Sequence, residues 1–223
     1  MAQENGRRRY RSDLRARQAR ETRRTVVAAA ADLFVRHGYA STTLDAVAEA
    51  AGVSRKTVSN AVGGKPALLK LAWDHTLVGD DEPVSMADRP AVARIRATTD
   101  PAEAIRLWVE LVVGVAERAS GLTGVVVAAA DTDADAAALL ERSAAERLVG
   151  ARAFAGHLDA IGGLRAGLSP ESAADLLWTL NDGAAFRGLV LERGWPVPAF
   201  RDWLVRVASA SVLAEQRAVS AQR

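Results

Sequence analysis

Five polar residues between positions 55 and 60 carry side chains suited to bind an anion or a base edge. They are Arg55, Lys56, Thr57, Ser59 and Asn60. Guanidinium, ammonium, hydroxyl and amide groups are the donors and acceptors that read bases and hold phosphates in a DNA major groove. Val58, Ala61 and Val62 recur among them at offsets of three to four, so a helix would turn its apolar side chains inward. The pattern predicts a helix that reads DNA with its polar face.

A second short helix must precede this one and position it. Its apolar residues at helical spacing are Leu44, Val47, Ala48 and Ala51. Gly52 can take the positive φ that a tight reversal needs, and Ser54 can cap the following helix through its hydroxyl. Two short helices joined in this way are typical of a helix-turn-helix, whose second helix enters the major groove.

The segment from about Arg15 to Trp73 resembles the amino-terminal domain of the tetracycline-repressor (TetR) family of transcriptional regulators. The residues that carry the resemblance are Phe34, Gly38, Tyr39, Thr43, Ala48, Gly52, Val53, Ser54, Thr57 and Lys65. The resemblance implies an all-α protein with an amino-terminal three-helix DNA-binding domain and a carboxyl-terminal helical domain for ligand binding and dimerisation. It also implies a homodimeric, ligand-relieved repressor that binds double-stranded, palindromic operator DNA and an unknown small-molecule effector.

The DNA-facing segment matches the family in part. Outside the polar face of the second helix, the expected DNA contacts are Thr43, Ser54 and Lys65. The family usually has a Tyr at Ser59, a polar residue or His at Ala61 and a Phe at Val62. Because the missing Tyr removes a customary phosphate contact, an alternative stays open: a TetR-like small-molecule or protein-interaction module with degenerate DNA reading.

Positive charge is concentrated at the amino-terminal end of the chain. Residues 1–64 hold 12 Lys and Arg against 6 Asp and Glu, whereas the whole chain has a net charge of only +2. This asymmetry suits a polyanion-binding module. We predict that residues 1–14 form a disordered Arg-rich arm, either a solvated tail or a segment that follows DNA. Arg15, Arg17 and Arg20 then lie at the start of the first helix as phosphate contacts.

The domain boundaries follow from the same patterns. We expect an arm at 1–14, the helix-turn-helix domain at 15–64, a connecting helix at 65–78, and the ligand-binding and dimerisation domain at 79–223. Three prolines between positions 80 and 101 predict a loop or a broken helix there. Later helices are predicted at about 102–119, 122–131, 133–161, 170–193 and 198–217.

Aromatic and polar residues of the later helices suggest a ligand pocket. The candidates are Trp108, Phe154, His157, Trp178, Asn181, Asp182 and Phe186. Large apolar walls with a few polar groups are typical of small-molecule sites. The other interpretation is that the aromatic rings fill the core and the polar groups cap helices or face solvent.

The last two helices carry more apolar surface than one pair of helices can bury. The residues predicted to pack against a second copy are Leu176, Leu180, Ala184, Leu204, Ala208 and Ser211. Small side chains among them permit close approach of helices. An ordinary intrachain core is the alternative.

Several function classes lack the residues they need. The 223 residues include no Cys, and the three His residues are far apart, so we expect no metal site and no cofactor. No nucleophile stands in a recognisable catalytic pattern, and we expect no enzyme activity. An acidic residue interrupts the early apolar run, which argues against a secretory signal and favours the cytoplasm.

Overall fold

Helices make up almost all of the described chain, which the computed structural model covers at residues 2–78 and 85–214. They are α1 (Ala2–His37), α2 (Leu44–Ala50), α3 (Arg55–Val62), α4 (Lys65–Val78), a 3₁₀ turn (Met86–Asp88), α5 (Pro90–Ala97), α6 (Pro101–Ala130), α7 (Ala134–Ala160), α8 (Pro170–Leu180), α9 (Ala184–Phe186), a π-helical segment (Arg187–Glu192) and α10 (Val197–Val212). Within these residues no β-strand occurs, and one isolated antiparallel bridge joins Leu164 to Leu213. The predicted all-α fold is confirmed.

The first of two structural units contains the helix-turn-helix. It comprises Met1–Asp81 together with Gly121–Leu140. The largest fully buried side chains of its core are Val26, Phe34, Val47, Val58, Leu68, Leu69 and Leu122. The end of the α6–α7 hairpin therefore helps to form this core, although the sequence assigns those residues to the carboxyl-terminal domain at 79–223. No local pattern could reveal this, because the partners are about a hundred residues apart in the chain.

Helix α6 is one continuous helix where the sequence predicts two. Gly121 was expected at a break between them. A Cβ built on Gly121 would lie 3.3 Å from both methyl carbons of Val35 in α1, so glycine here allows a close approach of two helices. Gly121 therefore serves helix packing and does not form a turn.

The length and composition of α6 alone would allow it to cross a membrane. That is weak evidence, because a core helix of a soluble protein has the same properties. Ile105 and Val109 of α6 are fully buried in one core, and Leu122 and Val126 are fully buried in the other. These four apolar side chains are therefore used in packing.

Helix α1 begins at Ala2, so the structure has helical backbone where the sequence predicts a disordered arm at 1–14. The segment contains no proline, and its Arg, Gln and Glu residues have good helix propensity. Its single interruption by a poor helix former is Gly6. Low hydrophobicity excludes a core position but does not by itself exclude a solvated helix.

The second unit contains the later helices. It comprises Glu82–Ser120 and Glu141–Arg223. Its fully buried residues include Ile105, Val109, Leu158, Leu177 and Leu204, from α6, α7, α8 and α10. Ile95 of α5 and Phe186 of α9 are also buried in this core.

Of two predictions for this unit, the interrupted segment between positions 80 and 101 agrees with the structure and the single helix at 170–193 is wrong. The loop or broken helix expected between positions 80 and 101 is a broken helix in its described part. A 3₁₀ turn at Met86–Asp88 precedes α5, and Pro90 occupies the first turn of α5, where its missing N–H costs no hydrogen bond. The single helix expected at 170–193 ends at Leu180. Gly183 follows with a φ of +82°, which closes the helix and starts a short turn.

Candidate nucleic-acid interface

The ends of α2 and α3 are set by hydroxyl caps. The Thr43 hydroxyl accepts a hydrogen bond from the Ala46 backbone N–H at 3.1 Å. The Ser54 hydroxyl accepts one from the Thr57 N–H at 3.1 Å and lies 2.8 Å from the Thr57 hydroxyl. Three hydroxyls predicted to contact DNA therefore have structural partners already, and their first role is to fix where the two helices begin.

The turn between these helices has the predicted geometry. Gly52 has a φ of +65°, and its N–H donates to the Glu49 carbonyl at 3.1 Å. Val58 is fully buried and Val62 nearly so, which anchors α3 in the core of the first unit. The helix cannot rotate without exposing these two valines.

The opposite face of α3 is open. Its exposed residues are Arg55, Lys56, Ser59 and Asn60, while Thr57 is half-buried. The structure therefore brings the predicted base-reading residues together on one solvent-facing side. The major groove of DNA is wide enough to admit one α-helix that presents polar groups in this way.

A groove of about 400 Å³ runs between α1 and α3 beside this face. Its lining residues are Ala19, Arg20, Thr22, Arg23, Thr57, Asn60 and Ala61. The small side chains of Ala19 and Ala61 leave the space open, and Arg20 and Arg23 are exposed at it. Two guanidinium groups next to an amide and a hydroxyl form a surface that suits a phosphate backbone.

The predicted arm residues lie on α1. Arg17 and Arg20 are exposed, on the same helix that supplies the groove. The side chain of Arg15 lies outside the described part of the chain. Arg17 and Arg20 are therefore presented by a helix.

The half-buried side chain of Lys65 contacts other residues of the first unit. Its ammonium donates to the Ala40 carbonyl at 3.0 Å and lies 4.4 Å from the centre of the Tyr39 ring. Burial lowers the pKa of Lys65, and the nearby Asp133 carboxylate opposes that effect. The predicted phosphate contact would need this residue to leave both partners.

Tyr39 and Asp133 extend the same cluster. Burial first, and then the charge and hydrogen bond of Asp133, raise the pKa of Tyr39 to about 12. Asp133 also accepts a hydrogen bond from the Ala136 N–H at 2.9 Å, at the start of α7. One carboxylate thus joins the α6–α7 hairpin to the turn that precedes α2, a connection that sequence reasoning missed because no local motif marks it.

An ion pair joins the two helices of the motif. Arg55 Nη1 donates to Asp45 Oδ2 at 2.8 Å, and both side chains are more than 60% exposed. Asp45 was not among the predicted site residues. Its position in the first turn of α2 identifies it only as an ordinary helix-start acid.

Comparison with protein families gives one match for this unit. Residues 26–72 match the model for bacterial regulatory proteins of the tetR family. This part of the amino-terminal unit is therefore similar to the DNA-binding domain of that family. The matched residues contain the whole helix-turn-helix and most of α4, and they exclude the arginines at the start of α1. Comparison with curated proteins finds no match.

Solved structures of other regulators share the fold over most of the chain. NalD of Pseudomonas aeruginosa, the secondary repressor of the MexAB-OprM multidrug efflux pump, is 16% identical with a TM-score of 0.64, and the match covers 89% of this chain and 100% of NalD. A transcriptional regulator from Saccharomonospora viridis in complex with choline is 20% identical with a TM-score of 0.68, covering 87% and 99%. A TetR regulator from Haloarcula marismortui is 19% identical with a TM-score of 0.64, covering 86% and 98%. The TetR-like fold and the domain match support DNA-binding transcriptional regulation.

Most of the aromatic residues predicted for a ligand pocket lie in the core of the second unit. Trp108 and Phe154 are buried and stack with ring centres 5.5 Å apart. Phe186 is also buried and meets Phe200 edge-on at 5.3 Å. These contacts bring α6, α7, α9 and α10 together around aromatic rings.

The predicted polar residues of the pocket have different surroundings. Asp182 is exposed, and its carboxylate accepts from the Ala184 N–H at 2.8 Å, so it caps the following turn. Asn181 ends α8, and its carbonyl accepts from Arg147. His157 is half-buried, and its Nε2 atom is buried without a hydrogen-bond partner among the described residues. His157 is the predicted polar group with unused hydrogen-bonding capacity.

Arg147 is a residue that the sequence did not single out. Its guanidinium lies 5.3 Å from the Trp178 ring centre and donates to the Asn181 carbonyl at 2.9 Å. The Trp178 indole donates to the Ala144 carbonyl at 3.0 Å. Burial lowers the pKa of Arg147, opposed by the charge of Asp182. These contacts tie α7 to the end of α8.

The residues predicted for a dimer interface divide into two groups. Leu204 and Ala208 are fully buried within the chain, so they form its own core and present no surface to a partner. Leu176 and Ala184 are exposed, and Leu180 and Ser211 are half-buried. Apolar spacing cannot separate the two faces of a helix when both are apolar.

Proposed function

We propose that this chain is a transcriptional repressor that binds a palindromic operator as a homodimer and releases it when a small molecule binds the second unit. The observation that carries the DNA-binding part is the exposed polar face of α3, anchored from behind by Val58 and Val62. The groove with Arg20 and Arg23 lies beside that face. The regulator fold supports a non-enzymatic role in the cytoplasm.

The two groups of basic residues have separate roles in this proposal. Arg55 and Lys56 begin the recognition helix, where base edges are read. Arg20 and Arg23 contact phosphates from α1 and contribute affinity without sequence preference. They replace Lys65 in that role, because Lys65 already has partners at Ala40 and Tyr39.

Selection of bound duplexes from random DNA at about 150 mM salt tests the proposal, because that ionic strength suppresses purely electrostatic binding. We expect a palindrome whose half-sites are separated by at least about one helical turn, roughly 34 Å. Recovery of no shared sequence would refute sequence-specific regulation. It would favour the degenerate module, for which the small residues at Ser59 and Ala61 are the supporting observation.

Two variants separate the roles of the basic groups. We expect Arg55→Ala to relax the base preference at one position of each half-site. We expect Arg20→Ala to weaken binding to all sequences alike and to reduce the dependence of affinity on salt by about one phosphate contact. Equal effects of both variants on selected and random DNA would contradict this division.

The dimer is supported by apolar residues left exposed on the second unit. Leu176 is 38% exposed on α8, and Leu191 and Trp195 are 55% and 38% exposed near the π-helical segment. We expect light scattering to give the mass of two chains for the wild type and of one chain for Leu176→Glu. Val149→Glu is the matched control, since Val149 is 67% exposed on α7. A monomeric wild type would overturn the dimer.

Ligand relief is supported by the aromatic core of the second unit and the unpartnered Nε2 of His157. Choline is the first compound to test, because the regulator from Saccharomonospora viridis has been solved in complex with it and aromatic rings bind quaternary ammonium groups. A compound that acts as effector must raise the unfolding temperature and lower operator affinity, typically 5- to 150-fold. A compound that binds without changing operator affinity would contradict ligand relief.

A further inference from the structure

We propose that Asp45 is a positioning residue that holds Arg55 ready to recognise guanine and makes the recognition helix more selective. The proposal rests on the proposed function, since it concerns how the same face of α3 reads DNA. Arg55 belongs to α3 and Asp45 to α2, and their side chains meet at 2.8 Å between Nη1 and Oδ2. The ion pair therefore crosses the helix-turn-helix at the end that faces DNA in this class of motif.

Folding stability does not explain this pair well. The side chains are 63% and 62% exposed, and ion pairs at such exposure contribute little to stability. Arg55 is the first residue of α3, where the partial positive charge of a helix start disfavours a cation. The Asp45 carboxylate offsets that effect and gives the guanidinium a preferred place.

The geometry of the pair leaves the useful edge of the guanidinium open. Arg36 and Arg152 bind their carboxylate partners through both Nε and Nη2, in the side-on fork. Arg55 contacts Asp45 through Nη1 alone, and its Nε and Nη2 have no partner within residues 2–78 and 85–214. That free pair of donors matches the O6 and N7 acceptors of guanine, the commonest specific contact of arginine in the major groove.

The Asp45 carboxylate also disfavours the binding of DNA that lacks guanine at this position. A negative charge at the DNA-binding surface repels phosphates and lowers affinity for every duplex. On a duplex with guanine at the right position, Arg55 can bind the base and keep its bond to Asp45, and this contact compensates for the repulsion between Asp45 and the phosphates. Selectivity obtained from a repulsive element together with an attractive one is the usual design of specific interfaces.

The test compares Asp45→Asn with Asp32→Asn by selection from one random DNA pool and by titration of the selected duplex and a random duplex. Asp32 pairs with Arg36 on α1, so its variant removes one exposed ion pair and one negative charge as well. We expect Asp45→Asn to bind random DNA more tightly and to lose about 5- to 10-fold in discrimination at the guanine position, at the lower end of the range that one bidentate contact supplies. Asp32→Asn should keep the wild-type preference.

A double-mutant cycle separates positioning from a general charge effect. Lysine cannot form the planar fork, so Arg55→Lys should lose the guanine preference by itself. Adding Asp45→Asn to Arg55→Lys should then leave base preference unchanged. Equal discrimination in Asp45→Asn and wild type, or the same loss in Asp32→Asn, would overturn the role of Asp45 while leaving the proposed function intact. A wild type that selects no sequence would overturn both.

Discussion

The buried phenol of Tyr39 gives the first unit a sensitivity to alkaline pH that one substitution should remove. Tyr39→Phe deletes the hydroxyl that interacts with Asp133 and keeps the ring that packs 5.5 Å from Phe34. The ring also keeps its contact with the Lys65 ammonium. The variant therefore isolates the phenol proton from the packing of the side chain.

The magnitude follows from the pKa of Tyr39, which burial and Asp133 raise from 10.0 to about 12. A raised pKa keeps the folded phenol protonated after the unfolded phenol has lost its proton, so stability is complete below about pH 10 and falls as the pH rises toward 12. For that difference the loss reaches about 1.4 kcal/mol at pH 11. We expect about 1 kcal/mol, because Asp133 is only half-buried and Asp135, which also raises the pKa, is exposed, so solvent screens part of the effect.

Urea unfolding followed by tryptophan fluorescence between about pH 8 and pH 11 measures this loss. The wild type should lose about 1 kcal/mol more than Tyr39→Phe over that range. The chain has two tyrosines, so Tyr10→Phe leaves Tyr39 as the single phenol for titration by near-ultraviolet absorbance. Parallel loss of stability in wild type and Tyr39→Phe, or ionisation of Tyr39 near pH 10, would refute the reasoning.

Three further changes test features of the two units. Ser54→Ala removes the cap of α3 and should lower the free energy of unfolding by about 1 kcal/mol in urea titrations. Arg147→Met keeps an apolar stem on Trp178 but leaves the Asn181 carbonyl without its donor, and should cost about 1 to 2 kcal/mol in the same assay. Gly121→Ala should gain little of the roughly 1 kcal/mol that alanine adds to a helix, because its Cβ would press on Val35 in the folded state. Thermal unfolding measures this difference.

Each of these changes has a control within the chain. Ser59→Ala removes an exposed hydroxyl of α3 that caps nothing and should leave stability within about 0.5 kcal/mol. Arg142→Met removes an exposed arginine of α7 and should have an equally small effect. Gly124→Ala adds a Cβ with no atom within 4 Å and should show the full helix gain. A variant that behaves like its control would contradict the contact assigned to it.

The helix-turn-helix could be predicted from sequence because its determinants are local. Thr43 and Ser54 bond to backbone groups three residues away, and Gly52 reverses the chain by its own conformation. The polar face of α3 follows from helical period alone. Such features need no knowledge of distant packing.

Features that depend on distant partners could not be predicted. Lys65 donates to a carbonyl 25 residues away, and Arg147 donates to one 34 residues away. Because no local pattern reveals these partners, the sequence alone predicts that both charged side chains face solvent. Leu204 and Ala208 look like interface residues because both faces of α10 are apolar. Gly121 looks like a turn because a glycine needed for close packing and one needed for positive φ are identical in sequence.

The first unit consists of two chain segments that are far apart in sequence, and this determines when it can fold during synthesis. Its core needs Leu122, Val126 and Leu139, which follow the helix-turn-helix by many residues. At about 5 to 20 residues per second, the ribosome needs roughly 3 to 12 seconds to extend the chain from residue 81 to residue 140. During that interval the motif would have an incomplete core on the nascent chain, so DNA-binding ability should appear only after the α6–α7 hairpin has left the ribosome.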